Sequence, residues 1–136
     1  MSALSQNLTF KITQGNTTTE TVQVVYPNNT STTLTYASEK AKGDGYYGGS
    51  DGLHTAMYTY NSNFIGTITM QASLATTPVE ADWFSISGTT AVATDIDVNY
   101  QNTATSLYYN FTGNFVWVRG HVTIRDGIVN SILLNH

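Results

Sequence analysis

The chain contains no cysteine, which excludes both a disulfide framework and a thiolate metal site. That absence does not place it in a compartment, because a cysteine-free domain folds in any redox environment. No apolar run approaches the roughly 18 residues of a membrane span. The opening residues Met1 to Gln6 lack the basic and apolar regions of a secretory signal. The expectation is a soluble, unprocessed protein with no membrane partner. Charge is scarce as well: 10% of residues are charged, against about 25% in an average domain. The five cations, Lys11, Lys40, Lys42, Arg119 and Arg125, are spread along a chain of net charge -4. With no basic stripe to release counterions from a phosphate backbone, nucleic acid is not an expected partner.

What the chain has instead is threonine, 23 residues of it in 136. Its branched Cβ favours extended backbone while its hydroxyl stays solvated, so it suits the exposed face of a pleated strand. Solubility then rests on Thr, Ser and Asn rather than on charge. The length is that of one domain, enough to bury a core between two sheets.

Hydrophobic periodicity supports this. Leu8, Phe10 and Ile12 alternate with polar residues, and Val22, Val24 and Tyr26 resume the pattern after a break at Gly15-Asn16, which predicts a hairpin. Pro27 to Asn29 is a turn cluster, and Thr32 to Ala37 predicts a strand with Leu34 and Tyr36 inward. Residues 1–37 form a meander or arm, and 38–136 the main sandwich. Residues 39–52 hold five glycines from Gly43 onward and predict a long loop. Strands follow at Leu53 to Tyr60, Ile65 to Leu74, Trp83 to Ile86, Val92 to Val98 and around Leu107, Tyr109 and Phe111. Two alternating runs then meet at Asp126-Gly127, the signature of a terminal hairpin. About nine or ten strands at this spacing, with no helical period, predict an all-β, antiparallel β-sandwich or jelly roll in one domain.

Along the first terminal strand, Val116, Val118, Val122 and Ile124 share one face with Gly120, while Phe115, Trp117, Arg119, His121 and Thr123 share the other. The second face is an interface, a ligand platform or the inner surface of another layer. Trp, Tyr and Arg dominate protein–protein hot spots, which makes Phe115, Trp117, Arg119 and His121 the candidate interface; the competing reading makes Trp83 and Trp117 core residues. In the glycine loop, Asp44, Tyr46, Tyr47 and Asp51 combine stacking rings with hydrogen-bonding side chains, as a sugar site needs. Asp44 and Asp51 also suggest an oxygen cage for calcium, yet both precede glycine as turn aspartates do.

Other constellations have plainer accounts. Asp95 and Asp97, two apart on a strand, read as exposed-face charge that keeps an edge strand from pairing. His54, His121 and His136 are too scattered for a zinc site. Neither a nucleophile elbow nor two opposed carboxylates are marked, so no enzyme, metal or cofactor is expected. Asn7, Asn16, Asn28, Asn29 and Asn110 match the N-glycosylation acceptor pattern, as chance allows in a chain this rich in Asn and Thr.

Four segments carry a resemblance: Gly43 to Thr55 (GDGYYGGSDGLHT), Phe64 to Thr76 (FIGTITMQASLAT), Asp82 to Ile86 (DWFSI) and Phe111 to Ile124 (FTGNFVWVRGHVTI). Together they resemble small virion structural proteins of large contractile-tailed marine phages, notably those of cyanobacteria, over residues 43 to 134. Their order is also similar to a β-sandwich module of phage fibres and galactose-binding-like domains. The resemblance implies a non-enzymatic virion part, located in the virion after synthesis in the host cytoplasm. Its expected partners are other virion proteins and copies of itself, as a trimer or ring. The alternative is a carbohydrate-binding module for a host surface glycan.

Overall fold

The computed structural model describes residues 5–27, 32–48, 52–61, 63–93 and 105–135. Among them are thirteen strands and a single 3-10 turn at Glu80–Asp82. The strands are β1 (Ser5–Asn7), β2 (Phe10–Gln14), β3 (Thr17–Thr21), β4 (Val24–Val25), β5 (Leu34–Ala37), β6 (Ala41–Lys42) and β7 (Leu53–Tyr60). They continue with β8 (Ile65–Ser73), β9 (Phe84–Ser85), β10 (Ala91–Ala93), β11 (Thr105–Thr112), β12 (Trp117–Asp126) and β13 (Ile128–Asn135).

All pairings are antiparallel and fall into two sheets and a hairpin. Sheet I runs β1/β4, β13, β7, β11, with β1 and β4 sharing one side of β13. Sheet II runs β9/β10, β8, β12, β5/β6. Counting each broken pair as one position leaves four positions per sheet, in the order of a jelly roll. The strand number exceeds the expected nine or ten because three edge positions are each cut in two. The cuts are stitched. Ser38 bonds both ways with Gly120, its Oγ accepting the Gly120 N–H at 2.8 Å. Thr89 Oγ1 accepts the Met70 N–H at 3.2 Å and donates to the Ile86 carbonyl at 2.7 Å. Breaking an edge in this way also shortens the run of unpaired groups open to another chain.

The core lies between the sheets. Val118, Val122 and Ile124 of β12 and Ile68, Met70 and Ala72 of β8 face Ala56 and Tyr58 of β7 and Val129, Ile132 and Leu134 of β13, each at most 1% exposed. The alternation is therefore correct for its inward face from Val118 to Ile124, while Val116 lies ahead of β12 and is half-buried. At Gly120 the sheets pack tightly: a Cβ there would lie 2.6 Å from Ile132 Cδ1. Tyr58 is fully buried, its hydroxyl donating to the Thr89 carbonyl at 2.7 Å, and burial pushes its phenol well above the ordinary tyrosine value. The described residues between 5 and 37 contribute to both sheets through β1, β4 and β5, with Leu8, Phe10 and Val24 in the core. The first hairpin turns at Gly15, at φ 61°, as expected, but its second strand is Thr17–Thr21; the expected run at Val22, Val24 and Tyr26 instead contributes β4, which pairs with β13.

The terminal hairpin does not form. β12 belongs to sheet II and β13 to sheet I, and Gly127 alone separates them at φ 83°. A single residue leaves no room for the two-residue loop that pairing back would need. Gly127 is instead a corner between sheets, packed on the β7–β8 crossing: a Cβ there would lie 2.4 Å from the Phe64 nitrogen. Asn61 fastens the two corners together, its N–H donating to the Ile128 carbonyl and its Oδ1 accepting the Ile128 N–H, both at 3.0 Å.

Candidate functional site

The outward residues of β12 lie beside those of β8, with Trp117 opposite Ser73, Arg119 opposite Gln71 and His121 opposite Thr69. This outer face of sheet II is not left bare. After β8 the chain turns through Pro78 and the 3-10 turn and lies over the row before returning as β9. Trp117 Nε1 donates to the Thr76 carbonyl at 2.9 Å. Arg119 Nη1 and Nη2 donate to the two Glu80 oxygens at 3.2 and 2.7 Å, and Nε donates to Gln71 Oε1 at 2.8 Å. Trp83 covers the guanidinium with its ring centroid 4.4 Å away. Arg119 thus has 8% of its side chain exposed although it points away from the core, whereas its partner Glu80 keeps 82%.

These contacts set the local electrostatics. The Arg119 guanidinium holds the Glu80 carboxyl below the usual carboxylate range, by hydrogen bonding first and by charge second. Burial lowers His121 below the usual histidine value, the Arg119 charge adds to this, and Glu80 opposes it. Of the four candidate interface residues, Trp117 and His121 are half-buried and Arg119 is buried by its own chain. Phe115 precedes β12 and turns to an aromatic group at the end of the sandwich, 5.8 Å from His54, 5.9 Å from Phe84 and 6.3 Å from Phe111. Both tryptophans belong to the covered outer face rather than to the core.

The glycine loop is fixed to the start of β12. Gly43 N–H donates to the Val116 carbonyl at 2.9 Å and Gly45 N–H to the Phe115 carbonyl at 2.8 Å. At either glycine a Cβ would sit 2.3 Å from a carbonyl oxygen, so any side chain would push the loop off. Asp44 closes the loop from within: its carboxylate accepts the Gly52 N–H at 2.7 Å, and its own N–H donates to His54 Nε2 at 3.2 Å. A backbone N–H can only donate, so His54 Nε2 accepts and Nδ1 carries the proton, donating to the Gly52 carbonyl at 2.8 Å. The imidazole is 2% exposed and stacked on Phe111 at 5.0 Å. Asp44 is therefore a turn aspartate, and Asp51 lies outside the described residues with Asp95, Asp97 and His136.

Beyond the latch the loop presents Tyr46 and Tyr47, 46% and 58% exposed, with rings 5.4 Å apart and nearly perpendicular. Tyr46 also lies 5.1 Å from Trp117. The structure thereby brings the loop and the Trp117 row, two separate candidates in the sequence, into one cluster. Two members had no sequence reading. Lys42 pairs with Trp117 across the β6–β12 ladder and sets its Nζ 4.7 Å from the Tyr46 ring centroid, and Lys40 Nζ lies 5.0 Å from the Trp117 ring. Their spacing of two residues, which sends extended side chains the same way, is the signal that would have found them. Glu80 and Trp83 reach Arg119 only through the turn at Pro78, and no local pattern announces that.

Among the described residues, no group of three or more His, Cys, Asp or Glu is placed to hold a metal ion, and no helix is long and apolar enough to cross a membrane. No protein-family model matches the chain, and no curated protein matches it.

Proposed function

We propose that this chain is a non-enzymatic structural protein of a phage virion, made in the host cytoplasm and acting by association with copies of itself and with other virion proteins. The observation that carries the reading is the outer face of sheet I. There Met57 sits opposite Tyr108 on one neighbouring strand and Leu133 on the other, forming an apolar island across β11, β7 and β13. Tyr108 is 70% exposed. Ser5, Thr55 and Asn135 complete the lining of a shallow depression of about 410 Å³, without a charged side chain. An apolar centre inside a polar rim, with a tyrosine as anchor, is the anatomy of a protein interface. Low charge limits repulsion between like subunits, and the jelly-roll order is one that viral capsid domains use. The resemblance of residues 43–134 to small virion proteins supports the same conclusion.

Light scattering over a range of concentrations tests it. A trimer or larger ring is expected, and Tyr108→Glu should shift the mass to that of a monomer while leaving the fold intact. A chain that is monomeric throughout, or an oligomer that Tyr108→Glu does not touch, counts against this face as the contact. A second reading, binding of a host surface glycan, is favoured by the exposure of Tyr46 and Tyr47 on a loop whose backbone is fixed at both ends.

A further inference from the structure

We infer that Tyr47, Tyr46, Trp117, Lys40 and Lys42 form a binding site for an acidic polysaccharide. The inference rests on the glycan-binding reading of the loop and gives that reading a ligand class and a different set of contacts. Asp44 is already engaged, its carboxylate with the Gly52 N–H and its N–H with His54, so it is a brace of the site and not a ligand group.

The cations supply the class of ligand. Lys11 is paired with Glu39 at 2.9 Å and Arg119 with Glu80 at 2.7 Å. Lys40 and Lys42 have no such carboxylate among the described residues, and both are exposed. Two ammonium groups with no ion-pair partner among the described residues therefore stand over adjacent rings of one cluster, Lys40 over Trp117 and Lys42 over Tyr46. In a chain of net charge -4 this gathers two positive charges at one aromatic cluster. It is complementary to an anion.

The rings supply the rest. Tyr47 is the most exposed ring of the cluster and offers a surface for the apolar face of a sugar. Tyr46 stands between it and Trp117, and the Trp117 indole is tied to the Thr76 carbonyl. The Gly43 and Gly45 contacts with residues 114–116 fix this platform before any ligand arrives, which spares the ordering cost of binding. A sugar stacked on Tyr47 would set a carboxylate or sulfate ester within reach of the lysines. The two perpendicular tyrosines form a corner rather than an apolar groove for peptide side chains.

The test is native electrophoresis of the purified chain through gels holding polygalacturonate, dextran sulfate, neutral dextran or poly-glutamate. Because the protein is itself anionic, an acidic polymer retards it only by specific contact. Retardation by polygalacturonate or by dextran sulfate supports the inference, and which of the two acts tells a uronate from a sulfate ester. Lys40→Gln with Lys42→Gln, and separately Tyr47→Ala, should each weaken retardation about tenfold, equivalent to 1.4 kcal/mol. Lys11→Gln should change nothing. Binding to neutral dextran that ignores the lysine changes overturns the acidic ligand while sparing the glycan reading. Retardation by none of the polysaccharides overturns both. Poly-glutamate that retards as strongly, with Tyr47→Ala silent, assigns the site to an acidic peptide and overturns the inference as well.

Discussion

The two outer faces of the sandwich are built from similar strands and finished in opposite ways. On sheet II the chain covers its own face: residues beyond β8 lie over the Trp117 row, Glu80 grips Arg119 and Trp83 covers it. On sheet I, Met57, Tyr108 and Leu133 stand in a field of Ser, Thr and Asn, with Tyr108 70% exposed. One face holds the buried cation Arg119 and uses a segment of chain to satisfy it; the other has no charged side chain around its apolar centre. A residue's place in an alternating pattern tells which way it points. Whether that direction ends in solvent depends on segments far away in sequence.

The largest effect should come from Arg119→Ala. It leaves Gln71 and Glu80 without their donor and removes the cation from under Trp83; a loss of roughly 2–3 kcal/mol is expected from the charge-assisted hydrogen bonds and the packing of a buried side chain, Glu80 itself being 82% exposed and free to hydrate. Chemical denaturation checks it; a loss no larger than for an exposed lysine would mean that the covered face is not held by this residue.

Trp83→Ala sharpens the contrast, since it keeps every hydrogen bond to Arg119 and removes only the ring. About 1–2 kcal/mol should go, from cation–π contact and lost apolar cover. Faster proteolysis within residues 74–83 should accompany it, and an unchanged cleavage pattern would argue that the ring is not what holds the segment down.

A smaller effect comes from pH. His121 binds its proton less readily when folded than when unfolded, owing to burial and Arg119. Stability should therefore be complete above about 6.5 and decline as pH falls from there through the lower folded value. Comparing pH 7.5 with pH 5.5 isolates this from Glu80, whose depressed carboxyl loses its contribution only further into acid. His121→Gln should flatten the difference; if it does not, another group is responsible.

The smallest effect on stability belongs to the bare face. At a concentration where the unaltered chain is monomeric, Tyr108→Glu should change the unfolding free energy by no more than about 0.5 kcal/mol, as exposed substitutions do, even as it changes the particle mass at higher concentration. A large loss of stability would make Tyr108 a structural residue and erase the contrast between the faces.

The fold was legible in the sequence where the signal is local. Gly15 closes the first hairpin, and the alternation along Val118 to Ile124 sorted core from surface, because side-chain direction has a strict period of two. Pairing was harder to read. Asp126-Gly127 is a turn in either arrangement, and what sends β13 to β7 rather than to β12 is a one-residue corner locked by Asn61, some 65 residues earlier. The candidate site followed the same rule. Tyr46 and Tyr47 stood out by their setting among glycines, and Trp117 by its row. That they meet was not readable, because the meeting depends on the glycine loop lying along Asn114 to Val116.

The latch under that loop gives one imidazole two trades. As a flat ring, His54 packs against Phe111; at its rim it accepts a hydrogen bond from the Asp44 N–H and donates one to the Gly52 carbonyl. Phenylalanine would fill the same slot and orphan both groups, and glutamine would serve both groups and leave the slot half empty. With both nitrogens spent, the ring offers neither a lone pair to a metal nor a base to a substrate. This histidine is masonry, and the tyrosines above it stand on it.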